Sequence, residues 1–122
     1  MNKKEPFLVN RIKSIRYAFK GAWILITTEK SIKIQIVISL LMTVAGFYFE
    51  LSLTEWAIQC LTIGAILAIE GINTVIEEIA DFIHPDYHPK IGLIKDISAG
   101  AVFIIAITAV TVGMIIYFPK IF

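Results

Sequence analysis

Charged side chains are scarce in this 122-residue chain, 17% of the total against about a quarter in ordinary soluble domains. Hydrophobic residues make up 57%, and the mean hydropathy is +0.80, more apolar surface than a soluble globule of this length can hide. The 11 basic and 10 acidic residues leave a net charge of +1, which argues against a nucleic-acid binder held by phosphate neutralisation. The single cysteine, Cys60, excludes an intrachain disulfide framework or a cysteine-based zinc site. Inside an apolar run, it reads as a small packing residue. No repeat or low-complexity segment is visible, and the length fits one domain over residues 1–122.

What is abundant is long uncharged runs: Ile34 to Phe49, Trp56 to Ile69, and Ile97 to Pro119. The third, 23 residues long, is long enough to cross a bilayer alone. The first is slightly short, but Lys30 and Lys33 can snorkel from its start and Tyr48 marks an interface at its end. The second ends at Glu70, yet its helical pattern continues through Asn73, Ile76, Glu77 and Ile79 to Asp81 without proline. An all-α membrane protein is expected, with spans at about 33–49, 55–81 and 95–118.

A secretory signal would place its apolar segment near the start, whereas 33 residues precede this one, so the segment is expected to stay in the mature protein. Leu51 to Thr54 suffice only for a tight turn and hold no Lys or Arg. Lys3, Lys4, Arg11, Lys13, Arg16, Lys20, Lys30 and Lys33 precede the first span, and Lys90 and Lys95 lie between the second and third. By the positive-inside rule the amino terminus and the second loop are cytoplasmic. Ahead of the spans, Leu8, Ile12, Ile15, Phe19, Ala22 and Ile26 draw one apolar stripe, with Arg11, Lys13, Arg16 and Lys20 off it. That pattern predicts an amphipathic surface helix over about 7–28, lying in the headgroup region of the cytoplasmic leaflet.

An acidic residue inside a span costs roughly 2.5 to 3.5 kcal/mol on insertion scales, so Glu70 points to function. It lies fifteen residues after Glu55, or about 22 Å into a core of about 30 Å. Glu70, Asn73, Glu77 and Asp81 share one helix face by their three- and four-residue spacing. One alternative is that such groups merely hydrogen-bond across a helix interface. Four aligned polar groups, with Glu29 at the same surface and Lys95-Asp96 opening the third span, exceed what packing requires. The Asp81 to Lys95 segment, with Pro85 and Pro89, is expected to be a loop, so His84 and His88 do not form a helical zinc pair. Neither G-x-x-x-x-G-K-[ST], nor G-x-G-x-x-G, nor a kinase catalytic-loop pattern is present. Any bound nucleotide would therefore be held by carboxylates and Mg²⁺, which suits an ion that keeps most of its waters.

The run Ala68-Ile69-Glu70-Gly71-Ile72-Asn73-Thr74-Val75-Ile76-Glu77, then Asp81, then Lys95-Asp96-Ile97-Ser98-Ala99-Gly100-Ala101-Val102, closely resembles the prokaryotic diacylglycerol kinase family, which includes the undecaprenol kinases. The resemblance extends to Ala18, Gly21 and Glu29; Ser31 and Gln35 stand where relatives often show Asn and His. It implies a homotrimer in the bacterial inner membrane, transferring the γ-phosphate of Mg-ATP to a lipid hydroxyl at the cytoplasmic face. Position by position, it implies Glu70 as the base and Glu29 and Glu77 as the metal carboxylates. Lys95, Asp96, the Asp86-Tyr87-His88 stretch and Tyr17 match nucleotide contacts. Asn73, Asp81 and Arg11 match polar site positions, and Ala99 stands with Glu70 beside the lipid substrate. The His84-Pro85-Asp86-Tyr87-His88-Pro89 loop looks more like the undecaprenol kinase branch than the diacylglycerol kinase branch. The competing expectation is a non-enzymatic assembly, an ion-conducting or regulatory subunit with Glu70 lining a pore. Such a pore has no need of Lys95-Asp96.

Overall fold

A computed structural model describes residues 5–122; Lys3 and Lys4 lie outside the described residues. These hold four helices and no strand: α1 (Phe7–Thr28), α2 (Lys30–Tyr48), α3 (Leu53–Ile83) and α4 (Pro89–Ile121). The last three are long and apolar enough to cross a membrane, so the all-α expectation with three spans holds. With 31 and 33 residues, α3 and α4 measure about 46 and 50 Å at ~1.5 Å per residue, well beyond a core of about 30 Å. Their excess length carries polar residues outside the apolar zone.

Local chemistry sets the breaks. Thr27 and Thr28 turn their hydroxyls back onto the carbonyls of Trp23 and Ile24, at 2.8 and 2.6 Å, a habit that favours bending or ending a helix. Glu29 then takes an extended conformation, φ −91 and ψ 119, between α1 and α2. At the first turn, Glu50 adopts the left-handed φ of 54° and Ser52 starts α3 through a capping box. Its hydroxyl accepts from the Glu55 N–H at 3.2 Å, and its own N–H donates to Glu55 Oε1 at 2.9 Å. Lys120 pairs with that same carboxylate at 3.1 Å, closing the far end of α4 onto the start of α3.

The expected loop from Asp81 to Lys95 is much shorter. α3 runs to Ile83, and α4 begins at Pro89 because proline suits the first helical position and His88 caps it, its Nδ1 accepting from the Lys90 N–H at 3.0 Å. Only residues 84–88 remain non-helical.

The helices α3 and α4 pack most extensively, α2 joins α3, and α1 contacts α2 more lightly. Near the α2–α3 turn, Leu51, Ile116 and Tyr117 form a buried cluster covered by Met42, Phe49 and Trp56. A Cβ at Gly46 would stand 2.6 Å from the Trp56 ring, so only glycine lets α2 meet that indole. Ile32 and Ala80 are also buried, while much of the other apolar surface, including the Ile12, Ile15 and Phe19 stripe of α1, is exposed, as fits helices solvated by lipid. Cys60 is also exposed, correcting its reading as a packing residue: the apolar run around it is turned partly toward lipid.

Candidate active site

Glu70 is 8% exposed although it lies within a membrane-spanning helix. It closes one end of a cavity of about 330 Å³ between α2, α3 and α4. Along α3 the lining runs from Gln59 through Thr62, Ile63 and Ile66 to Glu70, about 16 Å at ~1.5 Å per residue. Ile38 and Met42 of α2 and Ile105 and Ile116 of α4 supply apolar walls.

One turn beyond Glu70, Asn73 donates its amide to Glu77 Oε1 at 3.3 Å and accepts the Ser98 hydroxyl on its Oδ1 at 2.7 Å. One turn past Glu77, Asp81 accepts from Lys95 Nζ at 2.6 Å. Helical spacing accounts for the arrangement: positions 70, 73, 77 and 81 stay on one face of α3, and positions 95 and 98 lie three apart on the facing side of α4. The Lys95–Asp81 pair is largely solvated, at 38% and 59% side-chain exposure, so it orients the two groups more than it stabilises the fold.

Glu29 reaches this end of the bundle through its neighbours. It is partly buried at the α1–α2 junction, and its N–H donates to the Leu25 carbonyl at 3.2 Å. Leu25 packs against Gly71, where a Cβ would stand 2.8 Å from Leu25 Cδ2. Glycine next to Glu70 leaves this room for α1 without any shift of the Leu25 side chain.

The structure thus brings together Asn73, Glu77, Asp81 and Lys95, with Glu70 on the same face. It does not join the remaining residues to them by hydrogen bond or ion pair among the described residues. Arg11 lies over the Phe7 ring, 5.1 Å from its centroid. Tyr17, Asp86, Asp96 and Ala99 are exposed; Asp96, one step from Lys95, is turned about 100° around α4 and so away from α3. Tyr87 lies beside Gly92, and His88 is engaged as the cap of α4. Among the described residues, no group of three or more His, Cys, Asp or Glu side chains is placed to hold a metal ion.

Three residues with structural roles here are not evident from counting charges. Ser98 is buried and bridges the helices; its signal was the three-residue step from Lys95. Gln59 and Tyr117 hydrogen-bond at the opposite end of the cavity, and a glutamine amide in an apolar run was the available sign.

Residues 16–117 match the family model described as prokaryotic diacylglycerol kinase. The chain belongs to that family. It is 35% identical over 108 residues to an undecaprenol kinase of Bacillus subtilis, covering 88% of each chain. It is 30% identical over 111 residues to a diacylglycerol kinase of Synechocystis, covering 90% of this chain and 63% of that one. A diacylglycerol kinase of Escherichia coli is 29% identical over 102 residues, 81% of each chain. The protein is a multi-pass membrane lipid kinase, which removes the pore or regulatory-subunit reading.

Proposed function

We propose that this kinase transfers the γ-phosphoryl group of Mg-ATP to the hydroxyl of undecaprenol in preference to diacylglycerol, giving undecaprenyl phosphate, or phosphatidic acid from the second substrate. The observation that carries the reading is the buried Glu70 carboxylate at the end of an apolar cavity, followed on the same helix face by Asn73, Glu77 and Asp81. A lipid chain lying along the cavity would present its hydroxyl to Glu70, while a nucleotide would approach from the exposed ends of α3 and α4.

In this reading Glu70 takes the hydroxyl proton as the lipid oxygen bonds to the γ-phosphorus and the bond to the ADP oxygen breaks; the proton then passes to water. No covalent enzyme intermediate is required, since phosphoryl transfer depends mainly on positioning and charge neutralisation. Glu29 and Glu77 would hold Mg²⁺ jointly with the phosphates. Two hard carboxylates would suit Mg²⁺, an ion usually held by one or two carboxylates together with substrate phosphates. Bound there, Mg²⁺ would neutralise phosphate charge. Lys95 would contribute a further positive charge held in place by Asp81. Asp96, Asp86, Tyr87, His88 and Tyr17 would border the nucleotide, with Arg11 near them, and Ala99 would lie beside the lipid.

Residues 1–122 would act as one domain, in a homotrimer, within the bacterial cytoplasmic membrane. The family supports the trimer, and the basic residues ahead of the first span support a cytoplasmic amino terminus and site. The proline-bordered loop at 84–89 and the match to the Bacillus enzyme support the polyprenol.

The test is transfer of labelled phosphate from Mg-ATP into organic-extractable lipid by purified protein in mixed micelles holding both alcohols at equal mole fraction. Faster labelling of undecaprenol is expected, with some diacylglycerol turnover because a flexible chain gives little directional recognition. Preference for diacylglycerol would reverse the substrate, and no labelling of either would defeat the reading.

A further inference from the structure

Hydroxyls on the spanning helices mostly satisfy themselves locally. Ser39, Thr43, Thr62, Thr74, Thr108 and Thr111 each donate to a carbonyl four residues back in their own helix. Ser98 instead crosses from α4 to α3 and donates to Asn73 Oδ1 at 2.7 Å, from a position 6% exposed. Across the same amide, Asn73 Nδ2 faces Glu77 Oε1 at 3.3 Å.

This chain of hydrogen bonds has one consistent direction. An ionised carboxylate only accepts, so the amide must turn its N–H group toward Glu77 and its oxygen toward Ser98, where a hydroxyl can donate. Rotated by half a turn, the amide would set oxygen against oxygen at Glu77. Removing the hydroxyl leaves the amide oxygen without this donor and frees the amide to turn.

We infer that Ser98 is a positioning residue of the kinase. Through Asn73 it holds the Glu77 carboxylate in one orientation, placing it for a divalent cation. Ser98 acts only through Asn73, and the inference rests on the reading of Glu77 as a metal carboxylate.

The experiment compares wild type, Ser98→Ala, Ser98→Thr and Glu77→Gln. Each is titrated with Mn²⁺ in the presence of a non-hydrolysable ATP analogue, free Mn²⁺ being read by electron paramagnetic resonance, and separately with Mg²⁺ in the transfer assay. Ser98→Ala is expected to weaken Mn²⁺ binding about fivefold, the size of one net hydrogen bond. It should raise the Mg²⁺ needed for half-maximal rate by a similar factor, with the lost rate recovered at saturating Mg²⁺. Ser98→Thr keeps the donor and restores both titrations. Unchanged titrations in Ser98→Ala beside shifted ones in Glu77→Gln would overturn the inference and leave the metal reading standing. Unchanged titrations in both would overturn the two together. A rate loss in Ser98→Ala that Mg²⁺ does not recover, with Mn²⁺ binding intact, would make Ser98 a packing residue and overturn the inference.

Discussion

Leu25 occupies the space that a side chain at Gly71 would need, its Cδ2 standing 2.8 Å from where a Cβ would be. Through this contact α1 docks beside Glu70. The leucine end is flexible, so one methyl can be absorbed by a small rotation, whereas a branched four-carbon group cannot. Gly71→Ala is expected to retain most transfer activity and Gly71→Leu to lose about tenfold or more, because small misplacements of site groups cost large rate factors. Leu25→Ala in the Gly71→Leu background should restore part of the loss. Full activity in Gly71→Leu would show that α1 docking does not matter to the site.

Glu70→Gln preserves size and a hydrogen-bonding end while removing the proton acceptor. If Glu70 is the general base, transfer should fall by a factor of roughly 100 to 10,000, to the background of the assay, while membrane insertion and oligomer size stay as in wild type. Activity near that of wild type would remove the base assignment.

The parts of the fold that rest on composition and periodicity were legible from the chain alone: three apolar helices, and a polar face on α3 set by the spacing of Glu70, Asn73, Glu77 and Asp81. What escaped depends on contacts between distant segments. The prolines at 85 and 89 signalled a break, but His88 capping Pro89 shortens the expected loop to residues 84–88. Ser98 looks like any helical serine until α3 places an amide opposite it. Cys60 sits in an apolar run, yet which side of a lipid-solvated helix is buried depends on its neighbours, and it is exposed. Lys95 and Asp81, fourteen residues apart, meet only because α3 and α4 fold back on each other.

The polar contact at the other end of the cavity should matter to stability and not to chemistry. The Tyr117 hydroxyl donates to Gln59 Oε1 at 2.5 Å, with the Met42 carbonyl 3.2 Å from the same oxygen, and the Gln59 amide donates to that carbonyl at 3.1 Å. These bonds tie α2, α3 and α4 about 16 Å along α3 from Glu70. Tyr117→Phe removes one donor, and interhelical hydrogen bonds in membranes are worth about 0.6 kcal/mol on average and up to ~1.7. A lowered thermal midpoint in micelles is expected, with the transfer rate at low temperature retained. An unchanged midpoint would mean that the bond contributes nothing measurable.

Orientation can be read from the turn between α2 and α3. Position 53 suits a label better than position 52, because Ser52 caps α3 and its loss costs about 1 kcal/mol, whereas Leu53 is 88% exposed. The exposed Cys60 must first be replaced, so the experiment uses Cys60→Ala with Leu53→Cys, and a second variant with Cys60→Ala and Tyr87→Cys, since Tyr87 is 83% exposed in the opposite loop. If the basic residues of the first segment hold the amino terminus in the cytoplasm, as proposed, a membrane-impermeant thiol reagent added to intact cells should label position 53 and spare position 87 until the cells are opened. The reverse pattern would place Asp81, Lys95 and the exposed end of the α3–α4 pair outside the cell, away from cytoplasmic ATP, and would defeat the proposed orientation.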